Sequence, residues 1–222
     1  AADVNGDKLD DFYITGAAGQ AGALYLQTAT GFKQSTGQDM YLFTDAEETS
    51  AVFFDADADG DMDLYITSAS NEFKANSPQL RNRLFFNNGK GVFRYDSLAL
   101  PVIQTATHAI APYDYDNDGD IDLFVGGRIE PGSYPLPPQS YLLENDGKGR
   151  FSDVTNVKAA VLAGAGLYTG AVWADLDGDK KAELITCGEW MGIGIYSYNG
   201  SRLIDVTGTY INDDTRGWWN SI

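Results

Sequence analysis

The chain holds few of the residues that most often carry chemistry. Its 222 residues include one cysteine, Cys187, and one histidine, His108. A lone thiol excludes an intrachain disulfide and any cysteine cage for a metal. Set in the apolar run Leu184-Ile-Thr-Cys187, it is expected to be buried and inert. A lone imidazole in the predicted strand His108–Ala111 points to a structural role, and no Ser-His-Asp set can be built around it. Neither a Gly-x-Ser-x-Gly elbow nor a phosphate-binding glycine loop occurs. Basic residues are scarce too: 15 Lys and Arg face 32 Asp and Glu, for a formal net charge of −17. With no cluster of Lys or Arg in sequence to meet phosphates, nucleic acid is not expected as a partner. No apolar run approaches the roughly 18 residues of a spanning helix, so membrane insertion is not expected.

What is present is apolar, aromatic and glycine-rich: 43% hydrophobic, 13% aromatic, with 25 glycines. That composition suits a globular, turn-rich β protein with a substantial core. The acidic residues are not spread evenly. Asp114-Tyr-Asp-Asn-Asp-Gly-Asp-Ile-Asp122 alternates carboxylates and then runs into Leu123-Phe-Val125. The same arrangement occurs at Asp3–Asp11, Asp55–Asp63 and Asp175–Glu183, each followed by an apolar run. Counted from its first Asp, every loop carries an oxygen side chain at positions 1, 3, 5 and 9.

Carboxylates this close repel one another unless a cation draws them together, and calcium takes several oxygens at about 2.3–2.6 Å. The expected ligands are Asp3, Asn5, Asp7 and Asp11; Asp55, Asp57, Asp59 and Asp63; Asp114, Asp116, Asp118 and Asp122; and Asp175, Asp177, Asp179 and Glu183. The backbone carbonyls at position 7, from Leu9, Asp61, Asp120 and Lys181, are expected to join them. Up to four Ca2+ ions are anticipated. Magnesium fits less well, because it wants a smaller octahedral site and keeps its water. An EF-hand would place a bidentate Glu at position 12, where this chain has Ile14, Ile66, Val125 and Thr186, and would need flanking helices. The β-branched and aromatic residues after each loop predict strands instead. Four calcium ions would bring the net charge to about −9.

The first Asp of each loop falls at 3, 55, 114 and 175, a repeat of 52, 59 and 61 residues. Each unit has a lead-in strand, the loop, a lead-out strand and a hairpin. In the second unit these are Ala51–Phe54, Leu64–Thr67, Leu84–Phe86 and Val92-Phe93, the last two joined by Asn87-Asn-Gly-Lys-Gly91. Four-stranded units of this length predict an all-β propeller of antiparallel blades. The expected blades are 1–44 plus 215–222, 45–100, 101–158 and 159–214, one domain over 1–222. The first unit lacks a lead-in strand. Gly217-Trp-Trp-Asn-Ser-Ile222 is the expected donor, either within the chain or to a neighbouring copy. Ala1 lies two residues before a ligand Asp, with no initiator Met or signal peptide, so the span is expected to be a mature product or a window from a longer chain.

With these residues in view, the chain resembles the FG-GAP/VCBS repeat family, calcium-loop β-propellers that include integrin α-chain heads. The pattern Asp-x-Asp-x-Asp-Gly-x-x-Asp-Leu carries the resemblance. Within the family it is similar to bacterial ASPIC/UnbV proteins, relatives of cartilage acidic protein, through Asn71-Glu-Phe73, Gly126-Gly-Arg128 to Pro135, Gly188-Glu-Trp-Met191 and Gly217-Trp-Trp-Asn220. The first and fourth loops depart from the pattern with Asn5, Lys8, Lys180, Lys181 and Glu183.

A non-catalytic binding, adhesion or structural module follows as the expectation. Its location would be extracellular or on a bacterial cell surface, where calcium is plentiful, and its partner a protein, a glycan or another copy of itself. An alternative is a filament subunit joined by strand donation. A carbohydrate-active lyase or hydrolase is the other, with Glu130, Glu144 and Glu189 as the free carboxylates. Trp173, Trp190, Trp218 and Trp219 are expected to pack between blades rather than form a sugar platform. The connections Ser70–Asn82 and Glu130–Gln139, the latter with Tyr134-Pro-Leu-Pro-Pro138, are the loops placed to meet a partner.

Overall fold

The computed structural model describes all 222 residues. The first sheet orders β1 (Phe12–Ile14), β2 (Ala23–Thr28) and β3 (Gly31–Gln34). The second runs β4 (Glu48–Phe54), β5 (Asp63–Ser68), β6 (Arg83–Asn87) and β7 (Phe93–Tyr95). The third holds β8 (Ala106–Tyr113), β9 (Asp122–Ile129), β10 (Tyr141–Asn145) and β11 (Phe151–Asp153). The fourth has β12 (Leu167–Ala174), β13 (Glu183–Met191), β14 (Gly194–Tyr198) and β15 (Leu203–Asp205), with β16 (Gly217–Trp218) added to β13. Every pairing is antiparallel, and all but that of β16 with β13 join strands consecutive in the chain, as in a meander. Four antiparallel sheets stacked in chain order make a β-propeller-like fold.

The core lies between sheets. Leu24 of the first sheet and Leu64, Phe85 and Phe93 of the second share one cluster. Tyr65 and Leu84 of the second pack with Leu123, Val125 and Leu143 of the third. Phe124 and Leu142 of the third pack with Tyr168, Leu184 and Tyr196 of the fourth. Successive side chains of one strand point to opposite faces, so Leu64 looks back and Tyr65 looks forward. All six residues of β5 are therefore buried, whereas all four of β3, on the outer edge of the first sheet, are exposed. Fully burying one Leu or Phe is worth about 1.5–3 kcal/mol, so stacking contributes more than any single sheet can by itself. Trp173 packs between blades as expected. Its ring stacks on Tyr113 at 5.3 Å and its indole N–H donates to the Ala111 carbonyl at 3.2 Å.

The repeated Asp-Val-Thr closes the outer strand by one mechanism twice. Asp153 Oδ1 accepts from the Thr155 N–H at 3.0 Å, and Asp205 Oδ1 from that of Thr207 at 2.8 Å. Each turn begins a single helical turn, α1 (Thr155–Lys158) and α2 (Thr207–Tyr210).

The C-terminal strand overturns one expectation. Gly217–Trp218 does not complete the first blade. It pairs with β13, with Trp218 opposite Glu189 and Gly217 opposite Met191. Strand β13 runs on past Leu184–Thr186, where β14 pairs with it, and the backbone groups beyond need partners that β16 supplies. The first sheet keeps three strands and one bridge, Ala2 to Asp11. That bridge has the register of Phe54 to Asp63, Tyr113 to Asp122 and Ala174 to Glu183, so Ala2 stands where the other lead-in strands end.

Candidate functional site

All four acidic loops fold alike, and local hydrogen bonds explain why. The N–H at position 6 donates to the first Asp in every loop: Lys8 to Asp3 at 2.8 Å, Gly60 to Asp55 at 3.0 Å, Gly119 to Asp114 at 3.1 Å and Lys180 to Asp175 at 3.0 Å. The position 5 carboxylate accepts from the N–H two residues on, at 2.8 to 3.1 Å, from Leu9, Asp61, Asp120 and Lys181. Asp59 and Asp118 spend Oδ1 on this turn. Each loop needs two left-handed residues, at positions 4 and 6. In the second and third loops these are Ala58 (φ 59°) with Gly60, and Asn117 (φ 61°) with Gly119. In the first and fourth, glycine moves to position 4, and Lys8 (φ 71°) and Lys180 (φ 72°) take position 6. The lysines that break the sequence pattern thus preserve the backbone path.

Carboxylate oxygens of Asp55, Asp57 and Asp63 lie within 4.8 Å of one another, as do those of Asp114, Asp116 and Asp122, and of Asp175, Asp177 and Asp179. Glu183 stands outside the fourth group; its Oε2 accepts from the Leu176 N–H at 3.0 Å. The first loop, with Asn5 at position 3, forms no group of three carboxylates, although its position 9 residue Asp11 is fully buried. The lead-in bond from position 2 recurs there, with the Val4 N–H donating to Asp11 at 3.1 Å and the Ala56 N–H to Asp63 at 2.9 Å.

The second and third sites carry the sharpest signal. Asp55 Oδ1, Asp57 Oδ1, Asp116 Oδ1 and Asp122 Oδ2 are buried without a hydrogen-bond partner. Asp63 and Asp122 are almost wholly buried. Burial pushes each carboxyl up to about 7, against the opposing N–H bonds from Asn87 and Asn145. Unpartnered anionic oxygens converging on one point fit a hard divalent cation. In the exposed first and fourth loops, Asp3 is held below the usual carboxylate range, chiefly by the Lys8 N–H. Burial works against the same lowering at Asp175, where the N–H groups of Gly178 and Lys180 win.

Two residues read only as hairpin turns do more. Asn87 Nδ2 donates to the Val4 carbonyl at 2.8 Å and the Met62 carbonyl at 3.1 Å, tying one loop to the next. Asn145 Nδ2 repeats this with Ala56 at 2.8 Å and Ile121 at 3.1 Å. Their matched positions two before the turn glycine, Asn87-Asn-Gly and Asn145-Asp-Gly, were the available signal. In the third site, Lys158 Nζ sits 3.2 Å from Asp116 Oδ2 and 2.5 Å from Glu144 Oε2, leaving Asp116 Oδ1 free to face inward.

The other candidates scatter. Glu144 is engaged by Lys158 and by the Tyr115 hydroxyl at 3.0 Å. Glu189 is buried at the opposite end of its blade and takes Arg128 Nη2 at 2.5 Å. Glu130 shares no partner with either, so the three glutamates form no pair. His108 lies half-buried on β8 beside Ile110 and Thr169, and burial, then the Arg128 charge, lowers its pKa. Cys187 is buried, as expected. Trp190, Trp218 and Trp219 are exposed rather than packed between blades, at 62%, 56% and 39%. No helix is long and apolar enough to cross a membrane.

A family model described as FG-GAP-like repeat matches residues 3–66, 69–125 and 133–186. Each match ends at a lead-out strand, just past an acidic loop. No curated protein matches the chain. Among solved structures, the chain is similar to an Agrocybe aegerita lectin described as recognising non-reducing terminal N-acetylglucosamine, with a TM-score of 0.57 and 19% identity. The match covers 91% of this chain and 49% of the lectin, so the chain spans about half that protein's length. At this identity the likeness is one of fold.

Proposed function

Since the chain belongs to the FG-GAP-like repeat family, we propose that it is a calcium-stapled propeller segment acting as a non-catalytic binding module. The buried, unpartnered carboxylate oxygens of Asp55, Asp57, Asp116 and Asp122 carry the metal half of this reading. When bound, calcium supplies charge neutralisation and a rigid corner between strands. The residues holding it are Asp55, Asp57 and Asp63 in the second site and Asp114, Asp116 and Asp122 in the third. Asp175, Asp177 and Asp179 would hold a more exposed ion, and Asp3, Asn5 and Asp11 a weaker one. The position 7 carbonyls and Asp7, Asp59, Asp118 and Glu183 complete or support these shells.

The binding half rests on what the chain offers and what it lacks. No two of the candidate glutamates meet. An exposed indole cluster stands at the end of the blades remote from the acidic loops. A glycan or protein partner outside the cell suits such a surface, and the fold shared with a lectin makes glycans the first class to try.

Calorimetric titration with calcium tests the metal reading. Saturable binding is expected, with the second and third sites filling first and Kd values of about 10⁻⁴ M or tighter. Asp122→Asn should remove one site and leave the others. Absence of saturable heat at millimolar calcium would sink the proposal.

A second reading has its own observation. The edge of β1 facing away from β2 is paired only at Ala2. A donated strand from another copy would extend that sheet. Light scattering that finds the chain monodisperse and monomeric at high concentration would exclude it.

A further inference from the structure

Three segments far apart in the chain meet at the end of the fourth blade. They are Arg128–Tyr134, Glu189–Trp190 and Arg216–Trp218. Trp190 and Trp218 stand with ring centroids 5.2 Å apart and planes tilted by 52°. With Arg216 and Gly217 they line an open cleft of about 420 Å³. From this geometry we propose that the cleft binds a single terminal pyranose of a glycan, stacked on the indoles. The inference rests on the binding-module reading above and assigns it a site.

The rings are held from beneath. Trp190 Nε1 donates to the Tyr134 hydroxyl at 2.7 Å, and that hydroxyl donates to Glu189 Oε2 at 3.4 Å. Glu189 is only 7% exposed and its other oxygen takes Arg128 Nη2 from the neighbouring blade. The indole N–H is thus already spent, and Trp190 turns its faces, not its polar edge, to the ligand. Its backbone is also costly: φ is +59°, a value that a bulky aromatic residue rarely adopts. Such a conformation persists where surroundings over-determine it, and at binding sites it holds a side chain outward. Pairing of Trp218 with Glu189 sets the second ring beside the first.

The occupant follows from size and chemistry. A pyranose has an apolar C–H face for the indoles and a rim of hydroxyls. The cleft matches that, with an aromatic floor and, at its edge, the exposed Arg216 guanidinium paired to Asp214 at 2.6 Å, offering donors and acceptors together. A cationic ligand would meet Arg216. A peptide strand cannot add to β13 itself, because β16 already occupies that edge. The volume lies at the small end of ligand pockets, about 300–1,000 Å³, which suits one sugar ring.

The test uses the full 222-residue chain, calcium-loaded, on a printed panel of oligosaccharides ending in hexoses, deoxyhexoses, pentoses or 2-acetamido hexoses. Expected is binding to glycans that share one terminal sugar, with a change in tryptophan fluorescence on titration of the free oligosaccharide. Trp190→Gly removes the ring and suits the left-handed backbone, so it should fold at least as well as the parent. It and Trp218→Ala should each weaken binding roughly tenfold or more, the scale of an aromatic anchor. Tyr134→Phe, which keeps every ring but frees Trp190, should weaken it less. If both tryptophan variants bind the same glycan as tightly as the parent, this site is wrong while the binding-module reading stands. If the folded, calcium-loaded parent binds no glycan, the proposal fails. It fails equally if the tryptophans instead prove to mediate dimerisation, which light scattering on the same variants would reveal.

Discussion

Lysine in a left-handed turn position shows how residue choice and backbone demand trade places. Loops two and three put glycine at position 6; loops one and four put it at position 4 and leave Lys8 and Lys180 at φ near 71–72°. Lys180 is exposed and its side chain makes no hydrogen bond, so Lys180→Gly should relieve strain at little loss. In excess calcium we expect a gain of about 0.5–1 kcal/mol, read as a higher denaturant midpoint with an unchanged slope; a drop in midpoint would contradict it. His108 gives a second residue-scale prediction. Burial, helped by Arg128, lowers its native pKa below the unfolded value of about 6.5. Above that pH both states are neutral and the site's contribution is fully present. As pH falls from about 6.5 toward the lower native pKa, the unfolded chain takes up a proton first and stability drops. The calcium-loaded chain should therefore lose more stability between about pH 7.5 and 5.5 than His108→Gln does. Equal losses would mean the imidazole is not sheltered.

Among the elements, β16 is the one whose place could not be read from its residues. Two residues carry no periodicity, and the tryptophans look like any lead-in strand. What decides the pairing is the length of β13, which runs beyond β14 and leaves backbone groups exposed. The Trp219 N–H also reaches the Gly188 carbonyl at 3.2 Å, and Thr169 Oγ1 donates to the Trp219 carbonyl at 2.7 Å. Deleting residues 215–222 should leave the four sheets folded but release amides of Glu189–Met191 to fast hydrogen exchange. Loss of protection in β1 instead would restore the pairing expected from sequence. The other strands were legible because acidic loops, apolar runs and glycine turns, Asn-Gly or Asp-Gly in the last three units and Thr30-Gly31 in the first, mark them locally.

At the scale of the whole molecule, −17 charges and four acidic corners make the metal-free state costly. A site with Kd of about 10⁻⁴ M at about 1 mM calcium stabilises by about 1.4 kcal/mol, and four by about 6, comparable to the net stability of a domain. Excess chelator should lower Tm substantially, and added salt should restore part of the loss by screening the carboxylates. An unchanged melt would remove calcium from the structural account. The Asn87 and Asn145 amides tie neighbouring loops, so the loss should be cooperative across blades rather than confined to one corner.

Sequence alone determined the loops, the repeat and the strands, because each depends on neighbours a few residues away: alternating carboxylates, alternating apolar faces, turn glycines. It anticipated the packing of Trp173 between blades, but in one expectation with Trp190, Trp218 and Trp219, which it could not tell apart. Tertiary structure decided the rest. It left Trp190 and Trp218 outside, sent the last strand to the fourth sheet, and kept Glu130, Glu144 and Glu189 apart. Each of those outcomes depends on which backbone edges and side-chain faces remain uncovered after the sheets have stacked, a quantity that no local pattern encodes.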